Sequence, residues 1–229
     1  MGGYSIFIYL FILKIFLGAS VGSFVNLIFE RKQAGTSIIF PYSHCNQCNL
    51  KLSVIKKIPI MGYIISKGKC NQCNFKIPLE YLLSELYLGI LVLRINPYEF
   101  KSCIILIAAI LLLYMSLSDL KTMHIPTLLI YSLVPISMVL TNKNYLNLII
   151  IGILYILICL IHRFYKNNFI GNGDIDILFI FFIMHNLSEF INIIFISSLS
   201  ALIYIEIRQK RKVAFIPFMT LGFLINYVI

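Results

Sequence analysis

The sequence predicts an all-α, polytopic membrane protein of about eight transmembrane helices with one zinc-knuckle-like cytoplasmic loop. Three observations lead there. Of 229 residues, 60% are apolar and only 12% are charged, an excess that excludes both a soluble globular domain and a disordered chain. The apolar residues fall in runs, and at roughly 17–25 residues per crossing they fill about seven or eight spans. The net charge of +10 does not call for nucleic acid, because the basic residues sit in short loops where the anionic lipids of the inner leaflet account for them.

In chain order, the first span covers residues 4–29, interrupted by Lys14. It reads as a span and not as a secretory signal, since nothing before Lys14 is positive and the apolar stretch is too long. The second covers 81–97 and carries Glu85 and Arg94. Uncharged runs at 102–118, 122–142 and 144–161 supply the third to fifth spans. Residues 175–188, opening with Asp176, form a short sixth, and the uncharged runs 190–205 and 213–229 complete the set. Asn96-Pro97, Asn142-Lys143-Asn144 and Gly171-Asn172-Gly173 punctuate the turns. Residues 1–97 make an amino-terminal part with two spans, and 98–229 a second part with six.

Orientation follows from the cations, because positive loops resist translocation. The loop 30–80 holds eight: Arg31, Lys32, Lys51, Lys56, Lys57, Lys67, Lys69 and Lys76. With eight spans, Lys121, Arg163, Lys166, Arg208, Lys210, Arg211 and Lys212 fall on the same side, leaving only Lys14, Arg94, Lys101 and Lys143 elsewhere. That asymmetry puts the loops in the cytoplasm and both termini outside.

Within the large loop stand Cys45-Asn46-Gln47-Cys48 and Cys70-Asn71-Gln72-Cys73, each followed by a near-copy, Asn49-Leu50-Lys51-Leu52 and Asn74-Phe75-Lys76-Ile77. Two thiolates at this spacing approach one ion from a tight turn, and two such turns complete a tetrahedral zinc site. Disulfides are disfavoured in a reducing compartment. Cys103 and Cys159 lie inside spans and read as small apolar packers.

Acids at the membrane edge are costly and therefore candidates for function. Asp119 closes the third span and Asp174 opens the sixth, with Asp176 two residues on. Two crossings separate Asp119 from Asp174, so both return to the cytoplasmic edge. Two close carboxylates do not both ionise cheaply, so one holds a proton while the other acts as base, the chemistry of aspartic proteolysis. The glycines before Asp174 allow close approach of backbone or of an extended substrate. Glu85 reads more simply as an acid reaching to the headgroups beside the basic loop, and His124 and His162 as solvated groups at span ends. Read without any resemblance, the residues also suit a membrane zinc protein that docks a partner, or a membrane thiol oxidoreductase using its cysteine pairs.

Several motifs together resemble the type IV prepilin peptidases. Gly22-Ser23-Phe24-Val25-Asn26, the paired cysteines with Ile58-Pro59 between them, and Glu80-Tyr81 to Glu85 resemble that family's amino-terminal half. Asp119 with Ile125-Pro126, then Gly171-Asn172-Gly173-Asp174, resemble its two catalytic aspartate motifs. The resemblance implies a multi-pass aspartic endopeptidase of the bacterial plasma membrane, with its active site facing the cytoplasm. Such an enzyme removes the basic leader of type IV pilins or pilin-like secretion and competence proteins, cutting after a Gly ahead of a hydrophobic helix. It also implies possible methylation of the new amino terminus from S-adenosylmethionine, linked in the family to the amino-terminal half. By position, Asp119 and Asp174 would be the catalytic pair, and Cys45, Cys48, Cys70 and Cys73 the zinc ligands. The implied partners are prepilin or pseudopilin precursors and membrane lipids, with no nucleic acid. Two departures stand out: Asp176 where the family usually has Lys, and Phe215-Ile216-Pro217-Phe218 where it has Phe-Gly-Pro-Phe.

Overall fold

The computed structural model describes residues 2–40, 42–164, 171–209 and 212–228. Among them the long elements are all helices: α1 (Gly2–Gln33), the short α2 (Met61–Ile65), α3 (Leu79–Arg94), α4 (Phe100–Thr122), α5 (Thr127–Leu140), α6 (Tyr145–Phe164), α7 (Asn172–Met184), α8 (Leu187–Arg208) and α9 (Ile216–Val228). Each of the eight apolar segments has a helix, but four helical stretches are long and apolar enough to cross a membrane: Ile6–Gln33, Phe100–Thr122, Tyr145–Arg163 and Leu187–Arg208. The others fall short for local reasons. Pro126 and Thr141 bound α5, and Gly171 and His185 bound α7, whose 13 residues rise only about 20 Å against a hydrocarbon core of about 30 Å. Three of the cations used to assign orientation, Lys166, Lys210 and Arg211, lie outside the described residues.

The chain divides into two compact units, Met1–Tyr98 and Glu99–Tyr227. In the first, α1 packs on α3 through small residues. A Cβ on Gly18 would fall 2.3 Å from the Leu88 carbonyl oxygen, and one on Gly22 would fall 2.5 Å from that of Ser84. Only glycine lets the two backbones approach so closely, the small-residue packing used between membrane helices. Ala19, Val25, Phe29, Leu88 and Leu91 are buried along this seam. Lys14, the charge that interrupts the first apolar run, donates from Nζ to the Ile95 carbonyl at 3.2 Å, where the C-terminal dipole of α3 favours a cation.

In the second unit α4 is the most enclosed helix, with Ala108, Ala109, Leu112 and Met115 fully buried. It ends at Met123, whose left-handed conformation (φ 51°) lets its N–H close on the Asp119 carbonyl at 3.0 Å. At the start of α8, Asn186 and Glu189 form a capping box, as the Asn-Leu-Ser-Glu pattern allows.

Candidate active site and metal centre

The four cysteines of the loop come together in the first unit. Each Cys-Asn-Gln-Cys turn folds in the same way: Asn49 and Asn74 donate backbone N–H to the Cys45 and Cys70 carbonyls, and Cys45 and Cys70 donate to Leu50 and Phe75, all at 2.9 Å. Asn49 and Asn74 sit at φ 55° and 54°, a left-handed conformation that asparagine tolerates better than most residues. This accounts for the repeated asparagine after each second cysteine. The N–H groups of Cys48 and Gln47 hold the Cys45 thiol below its ordinary pKa, and those of Cys73 and Gln72 bring Cys70 down to about 6. Cys70 is thereby favoured as a thiolate, whereas, against the pull of the Phe75 amide, burial and the other three thiols push Cys73 up to about 12.

All four sulfurs lie within 4.8 Å of one another. Cys45 Sγ is 3.7 Å from Cys73 Sγ, and Cys48 Sγ is 3.8 Å from Cys70 Sγ. Tetrahedral zinc with Zn–S bonds of about 2.3 Å separates its sulfurs by about 3.8 Å. These two cross-repeat distances therefore match a tetrathiolate cage, and the cluster can bind a metal such as zinc.

Glu85 corrects the sequence reading. It is buried, not raised toward headgroups, and its Oε2 accepts the Ile60 N–H at 2.6 Å, with the Ser23 hydroxyl also bonded to it. Ile60 has φ 63° and ψ −55°, and the Met61 N–H closes on the Pro59 carbonyl at 2.6 Å. This is a three-residue γ-turn of the rare, strained hand. Its central residue is β-branched, and Glu85 clamps it. The sequence signal was an acid inside an apolar helix; its partner, a loop amide 25 residues away, carried none. Beside Glu85 is a cavity of about 260 Å³ whose walls include Asn26, Tyr63, Phe75 and Tyr81.

The second unit holds the aspartates. Asp119 is buried in the last turn of α4 and Asp174 is half-buried in the first turn of α7, ahead of the apolar run that starts at Ile175. Asp174 is pushed up to about 6 by burial and by the neighbouring charge of Asp119, against the opposing pull of the Gly171 amide. Asp174 thus lies within reach of the Asp119 charge. The turn before Asp174 packs against the one after Asp119: a Cβ on Gly173 would fall 2.4 Å from the end of the Ile125 side chain, Cδ1. Asp119 Oδ2 accepts the Ile216 N–H at 3.2 Å, and the Phe215 amide also reaches this carboxylate. The start of α9, with Pro217 tolerated in its first turn, thus aims backbone donors at Asp119. In the sequence the Phe215–Phe218 segment stands out only by a missing glycine, and its contribution comes from main-chain atoms that no side-chain pattern shows.

Asp176 turns away to α6, where Tyr155 donates its hydroxyl to Oδ1 at 2.8 Å while its ring packs edge-on to Phe179, centroids 4.9 Å apart. His124 is exposed and His162 half-buried. Cys103 is exposed on α4 and Cys159 half-buried on α6, so Cys103 does not fill the interior as expected.

Helices able to cross a bilayer, a four-thiol cluster in one unit and two neighbouring aspartates in the other describe a multi-pass membrane protein with a candidate acid–base site. Residues 16–97 match the Bacterial Peptidase A24 N-terminal domain, and residues 106–205 match the Type IV leader peptidase family. The chain belongs to the type IV leader peptidase family. It is similar to a "Prepilin leader peptidase/N-methyltransferase" of Myxococcus xanthus (strain DK1622), 32% identical over 75 residues, 33% of this chain and 22% of that one. A protein of the same name from Klebsiella pneumoniae is 34% identical over 80 residues, 32% of this chain and 35% of that one. The matched stretch thus spans about a third or less of either relative. No solved structure matches the chain.

Proposed function

We propose that the protein is an aspartic endopeptidase that removes the basic leader of prepilin-like precursors at the cytoplasmic face of the bacterial plasma membrane. The observation that carries this reading is the Asp119–Asp174 pair, with Asp174 holding its proton up to about 6 under burial and the charge of its partner. Asp119 Oδ2 accepts the Ile216 N–H, and on that contact it takes the part of the base. In the reaction Asp119 takes a proton from water, and the water oxygen bonds to the scissile carbonyl carbon. Protonated Asp174 donates to the carbonyl oxygen, and return of a proton to the amide nitrogen then releases the leader. No covalent bond to the enzyme forms. In this reading the unit carrying the aspartates is the peptidase part, and residues 1–97 form a separate amino-terminal part.

Cys45, Cys48, Cys70 and Cys73 are the ligands of one structural zinc ion, a role supported by sulfur separations that fit a tetrathiolate cage. Zinc would tie the two halves of the loop together and leave the chemistry to the aspartates. Methylation of the new amino terminus is the second part of the proposal. S-adenosylmethionine would supply a sulfonium-borne methyl group. Tyr63, Phe75, Tyr81 and Glu85 line the cavity beside the cysteine loop and would offer it aromatic surface for the adenine and a carboxylate for an ammonium. Both termini outward and the cysteine loop inward complete the reading, supported by the basic asymmetry of the loops.

The test is co-expression with a candidate prepilin followed by mass measurement of the product. Loss of the leader reports cleavage, and an added methyl group reports transfer. An unprocessed precursor, with the protein present in the membrane, would refute the peptidase reading.

A further inference from the structure

The cysteine loop carries an apolar surface that the metal site and the aspartates leave unused. Just past the end of α1, Ile38, Ile39 and Phe40 are 47%, 77% and 64% exposed, and Tyr42 is 63% exposed. Val54 (79%) and Ile55 (58%), at the start of the 3-10 turn Ile55–Lys57, are as open. The two stretches adjoin one another: Lys51 Nζ stands 4.3 Å and Lys57 Nζ 6.0 Å from the centroid of the Tyr42 ring, and Tyr42 packs edge-on to Phe40. Ile, Phe, Val and Tyr side chains are thus interleaved with Lys51, Lys56 and Lys57. An exposed apolar patch of this kind on a soluble surface would be an aggregation hazard.

We propose that this patch lies on the bilayer itself, with the apolar side chains inserted among acyl chains at the interface and the lysines on anionic headgroups. Two features select that occupant. The patch begins a few residues beyond α1, a helix long and apolar enough to cross the membrane, so the tether holds it at the bilayer edge. Its charge is positive, which matches anionic lipid and disfavours a basic peptide. Aliphatic and aromatic side chains with snorkelling lysines are the composition of segments that rest in this interface. The loop would then be fixed at three places, α1, α3 and this contact, which keeps the thiol cluster close to the membrane surface. The inference concerns lipid contact alone and stands apart from the peptidase reading.

The test uses the full chain, which contains no tryptophan. Ile39→Trp and Val54→Trp each therefore supply a single emitter. The purified variants are reconstituted in phosphatidylcholine vesicles with and without phosphatidylglycerol, using lipids brominated on their acyl chains. Brominated chains are expected to quench both emitters by about twofold or more in the anionic vesicles, with little quenching by aqueous iodide. In the Lys56→Glu, Lys57→Glu background, quenching in anionic vesicles should fall to the level seen with phosphatidylcholine alone. Emission insensitive to bromine and quenched by iodide would overturn the proposal in favour of a solvated surface. Emission insensitive to both would overturn it in favour of a protein-covered one. Equal bromine quenching in the two lipids, unchanged by the Lys→Glu substitutions, would refute recognition of anionic headgroups. Prepilin cleavage assayed on the same samples separates this result from the fate of the peptidase reading.

Discussion

The pH dependence of cleavage follows from the two aspartates. Asp174 is half-buried with Asp119's charge beside it, and it ionises at about 6, against an ordinary aspartate value near ~3.9. A group that must donate a proton is competent only below its own pKa, so activity should be lost as pH rises through about 6, not gained. At pH 7 about one molecule in ten retains the Asp174 proton, and at pH 8 about one in a hundred, so kcat/KM should fall about tenfold per pH unit on that limb. Replacing either group removes the acid or the base, and Asp119→Asn or Asp174→Asn should each lower cleavage by at least about 10²–10⁴-fold. Asp119→Asn should also return Asp174 toward the ordinary carboxylate range, because one of the two influences raising it is gone. The assay is cleavage of a prepilin in reconstituted vesicles between pH 5 and 8. The protonated-carboxyl infrared band of Asp174 is followed in the inactive Asp119→Asn protein. A flat profile across that range would refute the reasoning, and so would cleavage by either Asn variant at normal membrane levels.

Other consequences are as direct. Purified protein should hold about one zinc per chain, with four sulfur neighbours at about 2.3 Å by X-ray absorption; Cys70→Ser should leave three and weaken retention against a chelator. Gly22→Leu should destabilise the α1–α3 pair by about 1–3 kcal/mol, read as a lower melting temperature, because even its Cβ would press on the Ser84 carbonyl. Glu85→Leu leaves the strained Ile60 N–H without its carboxylate, at a cost of about 1–3 kcal/mol; faster trypsin cleavage at Lys56 and Lys57 should report it, while Glu85→Gln, which still offers an acceptor oxygen, should behave closer to the parent. Asp176→Asn should keep cleavage, since its carboxylate is bonded to Tyr155, with the high-pH limb moved slightly lower because a nearby negative charge is removed.

Composition and short motifs determined the helical membrane class, the family and the grouping of the four cysteines. Those depend on local properties: runs of apolar side chains set the solvent, and a repeated Cys-Asn-Gln-Cys-Asn forms its turn from its own backbone. Asp119 and Asp174 stood out as candidates for a similar reason, as charges where apolar runs end. Tertiary structure decided what each of these groups meets. Among the described residues the full helical length of a crossing is reached by four helices and not by all the apolar runs; for α5 and α7, proline and turn residues at 126, 141, 171 and 185 stop the helix where hydrophobicity alone would continue it. Glu85 looked like a solvated acid because its partner is a loop amide far away in sequence. Ile216 carried no signal at all, because what it presents to Asp119 is an N–H that every residue but proline has. Asp176, two residues from Asp174, is placed by the helical period toward α6 and by the Tyr155 hydroxyl that meets it there. Side-chain identity is written in the chain. The direction of a carboxylate, and the backbone donors aimed at it, exist only once distant segments have packed.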